Sequence, residues 1–268
     1  ANILIEALPY IREFYNKIIV IKYGGNVIAN EEIKNNIMQD IVLMRFVGMK
    51  PVVVHGGGAQ ISDLMKRIGK EAEFVQGLRV TDKETATIAE MVLAGSINKE
   101  TVSLINRLGA KAVGLCGKDA NLITVNKKFA QITNEAGEPE IVDLGYVGEV
   151  TEVNTQVLID LEEAGYIPVV APNGVDENGE TYNVNADSVA GEIAVALKAE
   201  KLILLTDVAG ILRDKEDESS LLSTLHVTKI DKLIKSKVIG SGMIPKVEAC
   251  ITALKNGVNK THIIDGRK

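Results

Sequence analysis

Two glycine clusters in this chain have the residue types of anion-binding loops. Lys22-Tyr23-Gly24-Gly25-Asn26 follows the apolar residues 18–21, and His55-Gly56-Gly57-Gly58 follows the apolar residues 52–54. Each pattern is typical of a buried strand that ends in a glycine turn and leads into a helix, where bare backbone N–H groups can face an anion. Because one loop also carries a lysine, the pair predicts a site for phosphate and carboxylate groups.

The second half of the chain contains three more candidate segments. They are Asn183-Val184-Asn185-Ala186-Asp187, Thr206-Asp207-Val208-Ala209-Gly210-Ile211 and Gly240-Ser241-Gly242-Met243-Ile244-Pro245-Lys246. The second segment places a hydroxyl, a carboxylate and a glycine turn after an apolar strand, at the edge where open α/β sheets bind ligands. The signatures G-x-x-x-x-G-K-S/T and G-x-G-x-x-G do not occur, so an ATP site in this chain would have another construction.

The elements that must position these segments alternate between strand and helix patterns. This alternation predicts an α/β fold around a mainly parallel sheet. Buried strands are predicted at residues 17–22, 51–54, 112–115, 167–171, 202–206 and 261–264, and helices at residues 31–47, 154–164 and 188–197. Turn residues predict hairpins at 134–139 and 177–180, and the second contains an Asn-Gly pair, which favours tight turns.

An apolar stripe precedes the first core strand. Its members are Ile3, Leu4, Leu8, Ile11, Phe14 and Tyr15. A helix in this segment has no place inside a sheet that begins at residue 18. It therefore either caps the edge of the domain or packs against another subunit.

The composition narrows the class of protein. The chain has 268 residues, of which 46% are hydrophobic, enough for a globular core in one large domain or two lobes. A net charge of −6 without a Lys/Arg block argues against nucleic-acid binding, and no apolar run reaches the roughly 18 residues that cross a membrane. We expect a cytoplasmic enzyme. Cys116 and Cys250 are isolated, which predicts neither a disulfide nor a zinc site.

Six motifs, taken in order, resemble the amino acid kinase family and, within it, the acetylglutamate kinases. They are Lys22-x-Gly24-Gly25, the HGGG loop at 55–58, Gly77-Leu78-Arg79-Val80-Thr81, Asn183-x-Asn185-Ala186-Asp187, Thr206-Asp207-x-x-Gly210-Ile211 and Gly242-Met243-x-x-Lys246. The match covers nearly the whole chain. The Gly-Leu-Arg-Val-Thr segment points to acetylglutamate as the acceptor, rather than to the carbamate, aspartate or UMP of sister kinases.

The resemblance implies a three-layer αβα sandwich with a mainly parallel central sheet and two lobes. Residues 1–16 would form an N-terminal helix for oligomerisation and regulation. Residues 17–198 would form the lobe that binds acetylglutamate, and residues 199–268 the lobe that binds ATP.

The implied reaction phosphorylates the side-chain carboxylate of N-acetyl-L-glutamate with ATP to give N-acetyl-L-glutamyl 5-phosphate, a step of arginine biosynthesis. A carboxylate with a pKa of about 4.3 is ionised at pH 7 and needs no general base. This fits a chain with only three histidines. The reaction instead requires that repulsion between two anions is offset and that charge on the equatorial oxygens is stabilised.

The resemblance also implies a catalytic role for three charged residues. Lys22 and Lys246 would flank the transferring phosphoryl group, the first on the acceptor side and the second on the leaving side. Asp187 would hold both lysines by charge pairing and keep them cationic.

The remaining implied roles concern binding. Arg79 would clamp the α-carboxylate of the substrate in a bidentate pair. The substrate pocket would be completed by Gly57, Gly58, Asn183 and Asn185, and phosphate oxygens would accept N–H bonds from Gly24, Gly25 and Gly57. The nucleotide site would be lined by Thr206, Asp207, Gly210 and Ile211. Mg²⁺ would be held mainly by phosphates and water, with no metal site made by the protein alone.

Regulation is implied by a further likeness to arginine-inhibited acetylglutamate kinases. Those relatives also have an N-terminal helix, which interlaces dimers into a hexameric trimer of dimers, and they bind arginine between that helix and the C-terminal lobe. Tyr15 and His262 match that pattern. L-arginine, further copies of this chain and a PII-type signalling protein are the implied partners.

Simpler interpretations of single residues stay open. Asp187 could cap a helix that begins near Ser188, and Arg79 could pair with Asp82 at the surface. His55 is expected to fix its loop by hydrogen bonding rather than to act as a base.

Other activities also stay open. The acceptor could be acetylaminoadipate or carbamate. The HGGG loop and the run Asp187-Ser188-Val189-Ala190-Gly191 are similar to the oxyanion hole and serine elbow of certain esterases. Ala186 and Ala190, however, occupy the positions where that elbow has glycine.

Overall fold

A computed structural model describes residues 2–133, 137–214, 217–240 and 242–267. Its helices are α1 (Asn2–Phe14), α2 (Asn26–Ala29), α3 (Glu31–Phe46), α4 (Gly58–Arg67), α5 (Lys83–Glu90), α6 (Asn98–Arg107), α7 (Gln156–Glu163), α8 (Ala186–Ala196), α9 (Val227–Lys235) and α10 (Ile244–Lys255). Its strands are β1 (Ile18–Tyr23), β2 (Lys50–His55), β3 (Phe74–Val75), β4 (Leu78–Arg79), β5 (Ala112–Leu115), β6 (Ile123–Thr133), β7 (Pro139–Val153), β8 (Ile167–Val170), β9 (Asn173–Val175), β10 (Thr181–Asn183), β11 (Lys201–Thr206) and β12 (Lys260–Asp265). A π-helix, Met91–Ile97, joins α5 to α6.

The central element is a six-stranded parallel sheet in the order β12-β11-β1-β2-β8-β5. Its members are the six strands that the apolar runs predict, so that prediction is confirmed. These runs are apolar at successive positions because a parallel strand covered on both faces has no solvent side. The sheet is continuous across position 198, since β11 pairs directly with β1.

Helices cover both faces of this sheet, which confirms the three-layer αβα sandwich. Side chains of α3, α4 and α6 pack with Ile21 and Val53 on one face. Side chains of α7, α8 and α10 pack with Val20 and Val54 on the other. The predicted helices at 31–47, 154–164 and 188–197 correspond to α3, α7 and α8. Because side chains alternate along a strand, Lys22 shares the face of Val20, toward α8.

A small closed barrel of β6, β7, β9 and β10 stands beside the main sheet. Its long antiparallel pair, β6 and β7, was missed from the sequence, where only the turn at 134–139 was predicted. Residues 134–136 of that turn lie outside the described residues. The predicted hairpin at 177–180 is confirmed, because β9 pairs antiparallel with β10 and Gly179 has a φ of 78°.

The N-terminal apolar stripe forms a helix, α1, which ends at Phe14, so Tyr15 lies in the turn that follows it. Phe14 is buried at the core, with the Lys201 ammonium 3.9 Å from its ring centre. Leu8 and Tyr15, in contrast, are exposed. The side chains of Ile3 and Leu4 lie outside the described residues. Within the described part of the chain, no helix combines the length and the apolar character needed to cross a membrane.

Candidate functional site

Three strands of the sheet bring chemically active residues to one edge. In the paired register, Lys22 of β1 lies opposite Val54 of β2 and Leu204 of β11. The strands therefore deliver Lys22, His55 and Thr206 to the same carboxyl edge, which is where an open parallel sheet binds ligands.

A buried carboxylate joins the two predicted lysines. Asp187 lies in the first turn of α8, with Oδ1 2.8 Å from Nζ of Lys22 and Oδ2 2.8 Å from Nζ of Lys246. Lys22 and Asp187 are only 6% and 5% exposed. Three residues that are remote in sequence thus form one ion cluster with a formal charge of +1.

Burial and mutual charge act against each other in this cluster. Burial lowers the pKa of Lys22, and the Lys246 charge adds to this, while Asp187 opposes it. Burial alone would raise the pKa of Asp187, but the two ammonium groups outweigh that effect and hold the pKa below its usual range. Asp187 is therefore the anion that keeps the buried Lys22 cationic.

The two glycine loops touch each other beside this cluster. The N–H of Gly56 donates to the carbonyl oxygen of Tyr23 at 2.8 Å. A Cβ on Gly24 would lie 3.1 Å from Nζ of Lys22 and 3.3 Å from Cα of Gly56, so a side chain there would press on both loops. Gly25 has a φ of 65°, in the left-handed region that glycine tolerates.

Gly57 packs against the π-helix. It is the N-terminal cap of α4, and a Cβ on it would lie 2.5 Å from methyl groups of both Leu93 and Ile97. Gly58 has open space where its Cβ would stand. The requirement for glycine is therefore steric at the first position and not at the second.

Arg79 is a buried residue of β4 that reaches the start of α4. Its Nη2 donates to the carbonyl oxygen of Gly58 at 2.8 Å and to Oγ of Ser62 at 2.7 Å. Its guanidinium lies 4.7 Å from the ring centre of Phe74. Asp82 instead caps α5 and pairs with Lys70, so the surface pairing of Arg79 with Asp82 is wrong.

One cavity of about 210 Å³ collects most of the predicted substrate residues. Lys22 and Arg79 both line it, and so do Gly25, Gly57, Gly58, Asn183, Asn185 and Asp187. Sequence reasoning missed the apolar part of its wall, formed by Ile61, Phe74, Leu93 and Val147, because nothing local distinguishes these from core residues. The alternation of apolar and other residues in Val142-Asp143-Leu144-Gly145-Tyr146 was a usable signal for the β7 strand.

Asn185, not Asp187, caps α8. Its Oδ1 accepts from the backbone N–H groups of Asp187 at 2.9 Å and Ser188 at 3.1 Å. The alternative of Asp187 as a helix cap is therefore wrong. Ser188 is the third residue of α8 and lies within the first helical turn, whereas an esterase nucleophile stands on the turn before the helix.

The predicted nucleotide residues lie on the β11 side of the same edge. Thr206 ends β11, and its hydroxyl is 3.4 Å from Oδ1 of Asp207. Gly210 and Ile211 line a second cavity of about 380 Å³, which is bounded mainly by apolar residues of α9, α10 and β12. Thr206 and Asp207 are thus not among the residues that line either cavity, whereas Gly210 and Ile211 lie in the wall of the larger one.

The two residues implied in arginine binding lie on different elements of the chain. Tyr15 packs its ring over Gly48, where a Cβ would lie 2.3 Å from the ring. His262 lies on β12, two strands from β1, and lines the larger cavity. Burial and the charges of Lys201 and Lys260 lower the pKa of His262.

The donor set at the edge suits a polyphosphate. The Lys22 ammonium and glycines of both loops line the smaller cavity, and the second ammonium, that of Lys246, is joined to this wall through Asp187. Ammonium and backbone N–H groups are donors that suit phosphate oxygens. Among the described residues, no three His, Cys, Asp or Glu side chains converge to hold a metal ion.

Residues 17–265 match the model of the amino acid kinase family. This chain belongs to the amino acid kinase family. Proteins that are named acetylglutamate kinases are similar to this chain in sequence. The chain is 59% identical to an acetylglutamate kinase of Moorella thermoacetica over 99% of its own length and 90% of that protein. It is 54% identical to an acetylglutamate kinase of Heliobacterium modesticaldum over 100% of its length and 90% of that protein.

A solved structure shares the same fold. The N-acetylglutamate synthase of Neisseria gonorrhoeae, complexed with coenzyme A and N-acetyl-glutamate, superposes with a TM-score of 0.82 at 26% identity. The match covers 98% of this chain and 57% of that protein. The amino acid kinase fold of this chain is therefore also found as part of a longer enzyme.

Proposed function

We propose that this chain is an acetylglutamate kinase, which transfers the γ-phosphoryl group of ATP to the side-chain carboxylate of N-acetyl-L-glutamate in arginine biosynthesis. The observation that carries the proposal is the Lys22–Asp187–Lys246 cluster, with both N···O distances at 2.8 Å. Its two buried members, Lys22 and Asp187, line a cavity that Arg79 also lines. The full-length relatives named acetylglutamate kinase support the same substrate.

Charge explains how the cluster would act. The acceptor carboxylate is ionised at neutral pH, so the barrier lies in bringing it to a polyanionic phosphoryl group. Lys22 and Lys246 stand on either side of Asp187 and give the cluster its surplus positive charge. Held in a site of low water content, such fixed charges stabilise the charge on the equatorial oxygens without reorganising during the reaction.

The substrate pocket would distinguish the two ends of the acceptor. Arg79 would bind the α-carboxylate, because its guanidinium is held by Gly58 and Ser62 at the pocket wall. Asn183 and Asn185 would bind polar groups of the acceptor. The N–H groups of the glycine loops would bind the phosphate oxygens.

The nucleotide would occupy the part of the edge formed by residues 199–268. Thr206, Asp207, Gly210 and Ile211 would contact it, and the two lobes would divide the substrates, with acetylglutamate held by residues 17–198. Mg²⁺, bound chiefly by phosphate and water oxygens, would supply further neutralising charge to the phosphates.

The test is a hydroxamate assay for acyl phosphate with Mg-ATP and N-acetyl-L-glutamate. We expect Lys246→Ala to lower kcat and Arg79→Ala mainly to raise KM for acetylglutamate. Lys255→Ala, on the same helix as Lys246, and Arg67→Ala, on α4, are matched controls that should leave both constants unchanged. Absence of acyl phosphate from folded wild-type protein contradicts the proposal, and acetylaminoadipate and carbamate are then the next acceptors to test.

We further propose a cytoplasmic homohexamer that L-arginine inhibits and a PII-type protein can bind. The exposed apolar side chains of α1, among them Ile5, Leu8 and Tyr10, support a subunit contact there. Tyr15 and His262 would bind arginine. Added L-arginine should raise the half-saturation concentration of acetylglutamate, and an unchanged value at millimolar arginine would rule out this regulation.

A further inference from the structure

His55 is a fully buried histidine whose two ring nitrogens both have partners. Nδ1 lies 2.9 Å from the carbonyl oxygen of Gly56, and Nε2 lies 3.3 Å from Nδ2 of Asn98. A carbonyl oxygen can only accept and an amide NH₂ can only donate. The proton of the neutral ring is therefore on Nδ1. Burial lowers the pKa of His55 to about 4, so the ring is neutral at pH 7.

Asn98 is the side chain that supports this tautomer from the Nε2 side of the ring. It is fully buried at the start of α6, and its Nδ2 also lies 2.9 Å from the carbonyl oxygen of Val169 and 3.4 Å from that of Leu115. Turning the amide over would set Oδ1 against these carbonyl oxygens. The strands β5 and β8 thus hold the Asn98 amide with its NH₂ group toward His55.

A glycine in β5 provides the space for this amide. A Cβ on Gly114 would lie 1.8 Å from Oδ1 of Asn98. Oδ1 accepts from Nζ of Lys99 at 3.2 Å, so both ends of the amide have partners. The Asn98 amide is therefore held in one orientation by hydrogen bonds at both of its polar atoms and by close packing against Gly114.

The peptide group between Gly56 and Gly57 connects the His55 tautomer to the cavity. The carbonyl of Gly56 and the N–H of Gly57 belong to the same trans peptide, in which they point in opposite directions. Because Nδ1–H of His55 holds the Gly56 oxygen, the Gly57 N–H is turned away from His55. Gly57 lines the cavity, and no backbone carbonyl of the described residues accepts its N–H.

We propose that Asn98 is a positioning residue which, through the tautomer of His55, aims the Gly57 N–H at the phosphoryl group in the cavity. The inference rests on the proposed kinase activity. With Asn98 present the ring has one hydrogen-bonded state. Without it the Nε2–H tautomer becomes accessible, and its Nδ1 lone pair would repel the Gly56 oxygen and release the loop.

The test compares Asn98→Ala with Asn106→Ala. Asn106 is also on α6, and its Oδ1 accepts from the N–H of Ala112 in β5 at 2.8 Å, so the control removes an Asn–backbone bond of the same helix. We expect Asn98→Ala to lower kcat by about tenfold to hundredfold, with KM for acetylglutamate changed less than about threefold. Asn106→Ala should lose thermal stability yet keep kcat within about twofold.

Nitrogen-15 NMR of the imidazole rings gives a second readout that needs no substrate. The His55 signals are assigned by their loss in His55→Gln. Wild type and Asn106→Ala should show protonated Nδ1 and unprotonated Nε2, whereas Asn98→Ala should show a mixture of tautomers. If Asn98→Ala does not fold, the equal-sized Asn98→Asp replaces the donor with an acceptor and should place a proton on Nε2.

Two results overturn the inference. One is a kcat for Asn98→Ala within about twofold of wild type, and the other is an unchanged His55 tautomer in the Asn98 variants. If wild type itself makes no acyl phosphate while the tautomer responds to Asn98 as expected, the proposed function fails and the control of the loop by Asn98 stands.

Discussion

Each edge of the central sheet contains a buried carboxylate, Asp187 at one and Glu162 at the other, and the two differ in the cations that compensate them. At the carboxyl edge, Asp187 lies between two ammonium groups, which hold its pKa below the usual range. At the amino edge, Glu162 of α7 pairs with Arg45, whose Nη1 lies 3.1 Å from Oε2 of Glu162. Burial raises the pKa of Glu162 to about 7, against the opposing charges of Arg45 and Lys50, and its Oε1 has no hydrogen-bond partner among the described residues.

This difference separates a site from a structural contact. Asp187 with Lys22 and Lys246 leaves a surplus positive charge at a cavity lined by glycine, which suits an anionic ligand. Glu162 with Arg45 leaves an incompletely compensated acid inside the hydrophobic core. Burial of a carboxylate therefore does not itself indicate catalysis. A catalytic role is indicated instead by the number of cations that contact the carboxylate and by a cavity beside it.

The largest expected effect follows from removing the compensated carboxylate. Asp187→Asn should lower kcat by about 100-fold or more, because both lysines lose their shared anion and the buried Lys22 loses its proton more readily. KM for acetylglutamate should change little. Steady-state assay of acyl phosphate measures both, and Asp143→Asn, which removes an exposed partner of Lys127, is the control. Equal kcat values in the two variants would contradict the role of Asp187.

The pH profile tests the same cluster. Lys22 can offset phosphoryl charge only in its protonated form, and burial lowers its pKa. Wild-type kcat should therefore fall as the pH rises through that lowered pKa. In Asp187→Asn the fall should occur at lower pH, since the counter-charge is gone.

A smaller effect on activity is expected from the glycines of the second loop. Gly57→Ala brings a methyl group to 2.5 Å from Leu93 and Ile97, so the loop must move, and kcat/KM should fall by about tenfold to hundredfold. Gly58→Ala meets nothing within 4 Å and should stay within about threefold of wild type. Similar losses in both variants would show that packing against the π-helix does not set the loop.

At the amino edge the expected effect is on stability. The folded pKa of Glu162 is about 7, above the usual value of 4.5, so the folded state binds more protons between these values. The resulting stabilisation is complete below about pH 4.5 and is lost as the pH rises to about 7. Wild-type Tm should therefore decrease from pH 5 to pH 8 by more than that of Glu162→Gln. Thermal melts at both pH values measure this, with the exposed Glu84→Gln as the control. An equal decrease in wild type and Glu162→Gln would contradict the raised pKa.

The smallest effect concerns the turn beneath Tyr15. Gly48 has a φ of 88°, and a Cβ there would lie 2.3 Å from the Tyr15 ring. Gly48→Ala should lower the free energy of unfolding by more than the roughly 1 kcal/mol that the φ alone costs. Gly69 has a similar φ of 82° and open space where a Cβ would stand. Gly69→Ala therefore measures the cost of the positive φ without a steric clash. Urea unfolding should show the larger loss for Gly48→Ala, with kcat unchanged in both.

Much of the fold was predictable because its signals are local. The six buried strands were found from continuous apolar runs, and the glycine loops were found at their ends. The β6–β7 pair was missed because its pattern includes polar residues on the solvent side, which weakens the strand signal relative to that of the turn residues between the two strands. The prediction that Asp187 caps a helix was wrong for another reason. Asn185, two residues earlier, can also cap a helix, and it lies where α8 begins.

The sequence by itself determined which segments are strands, where glycine ends them, and which ionisable residues follow, because these depend on neighbours along the chain. Only the tertiary structure decided that Lys22, Asp187 and Lys246 meet, that Leu93 and Ile97 require glycine at position 57, and that Asn98 faces His55. These contacts depend on the order of strands in the sheet and on the packing of helices upon it. Both arise from the burial of many remote side chains at once, which no local pattern encodes.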